Sequence, residues 1–121
     1  MILKIVLLIL KEDKVNCKVS LSASAEEDLF EIYKYIYQND SEENADKVYS
    51  ELRKKCFSLQ DYSNRGHVPN EMALFGLNDF LEIIHKPFRI IYQTMGKEVF
   101  IHCVLDGRRD MQKLLHERLM R

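Results

Sequence analysis

Apolar side chains change their spacing along this chain, from a helical period in the first half to an alternating period in the second. Between residues 25 and 59, apolar positions recur every three or four residues in two stretches, which is the spacing of one buried helical face. These positions are Leu29, Ile32, Tyr33 and Ile36 in the first stretch, and Ala45, Val48, Leu52, Cys56 and Leu59 in the second. Polar residues at 39–41 separate the stretches, so the pattern predicts an antiparallel helical hairpin.

The starts of the two helices are predicted from polar residues that can cap them. A short strand is predicted at 18–21, just before the first helix. Ser24 and Glu27 have the spacing of a capping box, so the first helix is predicted to begin after Ser24. Asp40 and Glu43 are the candidates to cap the second helix.

The second half of the chain has the two-residue period of β-strands, after a loop at 62–70 that is rich in Ser, Asn, Gly and Pro. Runs of β-branched and aromatic residues predict strands at 80–85, 88–93 and 99–105, and their short connections favour an antiparallel meander. Helical spacing returns at 110–120. The order indicates an α+β domain with an N-terminal strand, a helical hairpin, a three-stranded antiparallel meander and a short C-terminal helix. We expect the helices on one face of the sheet.

The first residues of the chain form a separate unit. Residues 1–10 are apolar with one exception, and charged residues follow at 11–14. The apolar run is shorter than the roughly 18–20 residues of a membrane span, and no small-residue cleavage site of a secretory signal follows it. We therefore separate a hydrophobic N-terminal extension, 1–14, from the domain at 15–121. The extension adds a strand, packs as a hydrophobic arm, or precedes the true start of the protein. We favour the last, because a bacterial GUG start codon would be written here as Val15.

Composition limits the class of protein. A chain of 121 residues, 46% of them hydrophobic and 31% charged, can bury the core of one globular domain. Eighteen basic and nineteen acidic residues give a net charge of −1, which excludes binding to nucleic acid or to an anionic membrane by bulk charge. The three cysteines show no paired spacing, so we expect small buried residues in a reducing cytoplasm, with no metal site and no cofactor.

Four short motifs resemble those of the RelE/ParE superfamily of type II toxin–antitoxin toxins, and together they span the whole domain. AEEDLFEIYKYI at 25–36 is similar to the family's opening A-x-x-D-L-x-x-I-x-x-Y-I. RGHVPNE at 65–71 resembles its glycine- and proline-marked loop, and KPFRIIY at 86–92 resembles x-P-Y-R-I-I-Y. VLDGRRDMQKLL at 104–115 is similar to the ParE-type ending V-L-H-G-R-R-D-x-x-x-L-L.

The resemblance implies a bacterial, cytoplasmic toxin that arrests growth until a cognate antitoxin neutralises it, with operator DNA contacted only through the antitoxin. ParE-type members bind DNA gyrase and trap its cleaved-DNA state, whereas RelE-type members cut mRNA on the ribosome. We predict gyrase poisoning, because Leu114 or Leu115 occupies the position where RelE-type nucleases place a Tyr, and leucine cannot transfer a proton. The alternatives are a ribosome-dependent mRNA endonuclease and a degenerate, non-toxic module that only binds the antitoxin.

Three arginines are the candidate target-binding residues. Arg89 is predicted on the strand face opposite its apolar neighbours, and Arg108 and Arg109 flank the turn into the last helix. Together they would form a cationic patch that meets phosphate or an acidic protein surface. Alternatively, Arg109 pairs with Asp110 or Glu82, and the other two arginines are solvated.

A nuclease would need a different use of the same residues. Arg89 and Arg109 would stabilise the phosphate, and His116 would donate the proton as the nearest titratable substitute for the missing Tyr. Two departures from the ParE pattern remove positive charge, because Asp106 replaces a common His and Leu81 replaces a common Arg.

Aromatic residues on the predicted hairpin are the candidate partner-binding residues. They are more numerous than one helical face can bury, so some must be exposed or covered by another chain. The residues are Phe30, Tyr33, Tyr37 and Tyr49. The resemblance implies that the antitoxin covers them, and the alternative is that they are scattered surface aromatics.

Overall fold

The computed structural model describes residues 17–119. In chain order the elements are β1 (Lys18–Leu21), α1 (Ala23–Asn39), α2 (Glu42–Phe57), a 3₁₀ turn (Ser58–Gln60), α3 (Asn70–Ala73), β2 (Leu81–His85), β3 (Phe88–Met95), β4 (Glu98–Asp106) and α4 (Met111–Leu119). The predicted α+β architecture and element order are confirmed, and α3 is a single turn that the sequence pattern did not indicate. The extension predicted at 1–14, with its start-site hypothesis, lies outside the described residues.

The sheet contains the predicted meander and one parallel addition. β2, β3 and β4 are antiparallel, and β1 pairs parallel to β4, so the strand order is β1-β4-β3-β2. Ile91 pairs with Cys103, whereas Tyr92 pairs with Ile101, so β4 holds an extra residue at this point. This bulge places Ile101 and Val104 on the same face of the sheet, and both enter the same core.

Each face of the sheet packs against its own helices. Ile90 of β3 lies in a core with Leu29 of α1, whereas Ile91 lies in a second core with Met72 of α3 and Leu115 of α4. The expectation that the helices share one face is therefore wrong. Neighbouring residues of a strand point to opposite faces, and the centres of β3 and β4 are apolar on both, so each face needs a covering layer.

A serine caps the N-terminus of each hairpin helix, although neither serine is a predicted cap. Ser22 caps α1 by accepting the Ala25 N–H at 3.0 Å, and Ser41 caps α2 by accepting a backbone N–H at 3.0 Å. The predicted caps Ser24 and Asp40 are wrong. The Ser22 N–H donates to Ile101 of β4 at 2.9 Å, so one residue ends β1 and starts α1, and no linker is left for a later cap.

Buried cysteines occupy the core as small apolar residues, as predicted. Cys17, Cys56 and Cys103 are all buried and free. Burial raises the pKa of the Cys56 and Cys103 thiols to about 12, so both stay protonated at neutral pH. Between residues 17 and 119, no three His, Cys, Asp or Glu side chains group as a metal site. Over the same range, no helix is long and apolar enough to cross a membrane.

Candidate functional site

Arg89 lies at the centre of a partly buried ionic network on the sheet face that carries α3 and α4. Its Nη1 and Nη2 donate to the two carboxylate oxygens of Glu71 at 2.9 and 2.7 Å, and its Nε donates to Glu82 at 2.7 Å. His67 Nε2 lies 2.9 Å from the other oxygen of Glu82, a residue only 3% exposed. We call these four residues the Arg89 network. It joins the loop before α3 to β2 and β3.

The electrostatics of this network hold Arg89 in place. The hydrogen bond from Arg89 lowers the pKa of Glu71, and the bonds to Glu71 and Glu82 raise the pKa of Arg89. Arg89 points away from its apolar neighbours in β3, as predicted. The alternative prediction, that Arg89 is solvated, is wrong, because its guanidinium donates hydrogen bonds to the carboxylates of Glu71 and Glu82.

A close contact at Gly66 fastens the same loop to the sheet. The Gly66 N–H donates to the Tyr92 hydroxyl at 3.0 Å, and that hydroxyl donates to the Ser63 carbonyl at 2.7 Å. A Cβ atom at Gly66 would lie 2.5 Å from the Tyr92 hydroxyl and 2.6 Å from the Glu82 carbonyl oxygen, so this approach requires glycine. The motifs at 65–71 and 86–92 are thus in direct contact.

Arg108 and Arg109 lie at the turn between β4 and α4, and both are exposed. Two Arg108 guanidinium nitrogens donate to Asp106 at 3.0 and 2.6 Å, and this pairing lowers the pKa of Asp106. Among the described residues, Arg109 forms no ion pair, with Asp110, with Glu82 or with any other acid. The turn therefore exposes Arg108, whose charge Asp106 compensates, and Arg109, which has no counter-ion among the described residues.

The three candidate arginines do not form one cationic patch. The Arg89 side chain passes beneath the turn, since a Cβ atom at Gly107 would lie 2.8 Å from Arg89 Cδ. Its guanidinium, however, is bonded to Glu71 and Glu82, so its charge is compensated within the network.

Helix α4 presents leucine to the core and His116 to solvent. Leu115 is 1% exposed and packs in the core beneath α4, and Leu114 packs against the same core. His116 is exposed, and its ring meets the Phe75 ring edge-on with 6.5 Å between centroids. These rings border a hollow of about 350 Å³. The hollow is lined by Phe75, Asp110, Gln112, Lys113, His116 and Glu117.

The hairpin carries five exposed or partly exposed aromatic residues along its two helices, which we call the aromatic stripe. It consists of Phe30, Tyr33 and Tyr37 on α1 with Tyr49 and Phe57 on α2. Tyr33 is central, with its ring centroid 6.0 Å from that of Tyr37 and 5.9 Å from that of Tyr49. Its hydroxyl donates to Asp46 at 2.9 Å. Phe30 is 56% exposed and Tyr37 50%.

Charged residues also contact the rings of the stripe, although the sequence analysis singled out only aromatic residues there. Arg53 lies over the Tyr49 and Phe57 rings, at 5.8 and 5.5 Å from their centroids, and donates to Glu26 at 2.9 Å. Phe57 and Arg53 were missed as candidates. The helical spacing of 46, 49, 53 and 57 was the available signal, since it places those positions on one flank of α2.

Asp28 is a further polar residue whose role the sequence did not indicate. β1 ends at Leu21, so the outer edge of β4 loses its strand partner beyond Ile101. Asp28 of α1 accepts a hydrogen bond from the Val104 N–H at 3.0 Å, and Arg118 of α4 donates two hydrogen bonds of 3.0 and 2.9 Å to the same carboxylate. The carboxylate thereby ties α1, β4 and α4 together.

Comparison with known proteins agrees with this architecture. Residues 19–111 match the family described as the ParE toxin of the type II toxin–antitoxin system, parDE. No curated protein sequence matches the chain. Among solved structures, the chromosomal ParDE toxin–antitoxin system from P. aeruginosa is similar, with 22% identity over 74% of this chain and 94% of that chain, and a TM-score of 0.63.

A second solved structure has a related fold with a different toxin name. The RelBE2 toxin–antitoxin complex from Mycobacterium tuberculosis has 16% identity over 76% of this chain and 92% of that chain, with a TM-score of 0.57. At these identities the structural likeness establishes the fold alone. The family match carries further, because it covers most of the chain and confirms the resemblance read from the four motifs. The protein therefore belongs to the ParE toxin family of type II toxin–antitoxin systems.

Proposed function

We propose that this toxin arrests growth by binding DNA gyrase rather than by cutting RNA. The observation that carries the proposal is that Leu114 and Leu115, one of which stands where a RelE-type nuclease places its proton donor, both pack into the core beneath α4. Proton transfer needs a titratable group within hydrogen-bond reach of the reacting atom, and leucine offers none. Binding to a protein target needs no such group.

The Arg89 network supports the same proposal. To stabilise a phosphate, the Arg89 guanidinium would have to leave Glu71 and the buried Glu82. Separating one partner from a buried ion pair costs about 3–5 kcal/mol, and the two carboxylates would then face the incoming phosphate and repel it. His116 is an exposed residue beside Phe75, and the network holds no hydrogen bond to it.

The β4–α4 turn is the proposed target surface. Arg109 extends from a short, ordered turn, in which its N–H donates to the Asp106 carbonyl at 3.1 Å. A guanidinium held on a rigid turn suits bidentate binding of a carboxylate on a protein partner. Target binding in this form would take place in the cytoplasm.

The Asp106–Arg108 pair favours a second candidate function, a module that binds the antitoxin but has lost most of its toxicity. Asp106 stands where the ParE-type ending has a His, and it neutralises Arg108 with two bonds. The positive potential of the turn is therefore reduced. The two candidates differ in whether free toxin stops growth.

The aromatic stripe is the proposed antitoxin-binding surface. The Tyr33 ring contacts those of Tyr37 and Tyr49, and Phe30 and Tyr37 are about half exposed, which supports an apolar patch with polar tips at Tyr33 and Tyr49. Tyrosine and arginine are the residue types that most often dominate binding energy at interfaces. With a net charge of −1, the toxin itself is not suited to coat operator DNA, so operator contact would come through the antitoxin.

Controlled expression in a bacterial host tests the proposal. Toxin is induced with and without its antitoxin, while DNA damage and protein synthesis are followed separately. DNA damage with filamentation, abolished by the antitoxin, is the expected result. Immediate loss of translation without DNA damage would contradict gyrase binding, and undisturbed growth with soluble toxin would favour the antitoxin-binding module.

Arginine variants link that phenotype to the turn. R108A/R109A should lose toxicity and keep antitoxin binding, whereas K54A/K97A, which removes two exposed cations elsewhere, should remain toxic. Purified gyrase gives a direct readout through the amount of cleaved DNA trapped by each variant. Unchanged trapping by R108A/R109A would remove the turn from the target site.

A further inference from the structure

A rigid apolar protrusion follows α3. Leu74 is 79% exposed and Phe75 is 44% exposed, although both are large apolar residues. The turn that presents them is closed by three backbone bonds to Met72 and Ala73, of 3.1, 3.0 and 3.0 Å. Met72 is fully buried in the core beneath α4. The protrusion is therefore held in one conformation, which lowers the entropic cost of using it in an interface.

A recess lies beside this protrusion on the same surface. It is the hollow of about 350 Å³ between Phe75 and α4, with the Phe75 and His116 rings forming part of its wall. Because the protrusion and the recess lie side by side on one surface, a molecule cannot insert its own protrusion into its own recess, whereas two molecules can exchange them. In a two-fold symmetric dimer each copy inserts its protrusion into the recess of the other.

The charges around the recess select the occupant. Lys113 is a cation, Asp110 and Glu117 are anions, and all three line the recess. Within residues 17–119, neither Lys113 nor Glu117 forms an ion pair. A strongly acidic or basic partner would meet like charge here. In a second copy whose α4 runs antiparallel across the two-fold axis, Glu117 of each copy faces Lys113 of the other.

We propose that the toxin forms a symmetric homodimer in which Leu74 of each copy enters the recess between Phe75 and α4 of the other. One protruding residue and one recess are much smaller than the roughly 800 Å² per partner of a standard interface. The dimer is therefore weak and forms only as the protein concentration rises. It leaves the aromatic stripe of the hairpin outside the interface.

Sedimentation equilibrium of the antitoxin-free toxin, between about 1 µM and 1 mM, tests the dimer. The expected result is a reversible shift from the monomer mass to twice that mass. In Leu74→Asp the dissociation constant should rise by about thirtyfold or more, the effect of losing an interface hot spot. Met95→Asp is the matched control, because Met95 is 71% exposed at the far end of β3, and it should dimerise like the wild type.

Charge exchange separates this interface from any other. Lys113→Glu should weaken the dimer by like-charge repulsion, and K113E/E117K should restore it, because the exchange keeps both signs on the surface. Circular dichroism checks that each variant is folded. A wild type that stays monomeric at every concentration would overturn the proposal, as would a dimer that Leu74→Asp leaves intact.

Discussion

The Arg89 network and the aromatic stripe lie on opposite sides of the sheet. They differ in how far their side chains are already bonded or buried within the chain. In the network, each nitrogen of the Arg89 guanidinium has a carboxylate partner, and Glu82 is almost wholly buried. In the stripe, Phe30 and Tyr37 keep about half of their surface exposed. The first is complete within one chain, and the second has room for another chain.

The comparison also separates two kinds of residue within the family-like motifs. In the opening motif, the specified positions Ala25 and Leu29 are fully buried and Asp28 bonds two other elements. The stripe residues Phe30 and Tyr33 fall at unspecified positions of that motif. The buried specified positions hold the fold, whereas Tyr35, which is also specified, is 68% exposed. The stripe residues at unspecified positions are among those that we propose for antitoxin binding.

The largest expected effect is on the network. Arg89→Ala leaves Glu71 and Glu82 without their partner and should lower the free energy of unfolding by about 3–5 kcal/mol. Arg108→Ala removes an arginine from a solvent-exposed pair and should leave the free energy of unfolding almost unchanged. Urea unfolding of both variants measures the difference. Equal losses would mean that the network is no more a structural unit than the surface pair.

Gly66→Ala should come next, at about 1–3 kcal/mol, because the new methyl group overpacks against the Tyr92 hydroxyl and the Glu82 carbonyl. A double-mutant cycle with Tyr92→Phe sharpens this, since both changes act on one contact and should be non-additive. Gly76→Ala is the control, because a Cβ atom there meets nothing within 4 Å and any cost comes from the positive φ of 71°, not from contact with Tyr92. Its loss should add to that of Tyr92→Phe.

The stripe should respond in affinity rather than in stability. Tyr37→Ala should weaken antitoxin binding by about 2 kcal/mol, as an interface hot spot does, while the unfolding midpoint hardly changes. Tyr35→Ala is the matched control, because Tyr35 lies on the same helix outside the stripe and is 68% exposed. Calorimetric titration compares the two. If Tyr35→Ala loses as much affinity as Tyr37→Ala, the antitoxin does not bind specifically at the stripe.

The smallest effect concerns pH. The pKa of Glu71 is lowered in the folded state, mainly by its hydrogen bond from Arg89, so the stabilisation is present above the ordinary value of 4.5 and is lost as pH falls through the folded value. Unfolding free energy should therefore fall below about pH 4.5 more steeply in the wild type than in Arg89→Met. Parallel pH profiles would contradict the coupling.

The sequence was sufficient for the order and type of every element except α3, because periodicity depends only on local spacing and a single turn is too short to show a period. It was insufficient where two local solutions compete, as at Ser22 and Ser24, which both can cap a helix. The second core beneath α4 had a signal in the apolar runs at 90–92 and 103–105, which are typical of strands buried on both faces. The Arg89 network had none, because Glu71 and Glu82 approach Arg89 only when loop and strands pack.

The carboxylate of Asp28 has a consequence for solubility. A β-edge with free N–H groups is a template on which other chains can add, and it is a common start of aggregation. Asp28 accepts a hydrogen bond from the Val104 N–H and binds Arg118 beside it. Two charged side chains therefore cover the edge of β4 at the point where β1 ends. A toxin freed when its antitoxin disappears would accumulate unaccompanied, and these two side chains would help it to persist as separate, folded molecules.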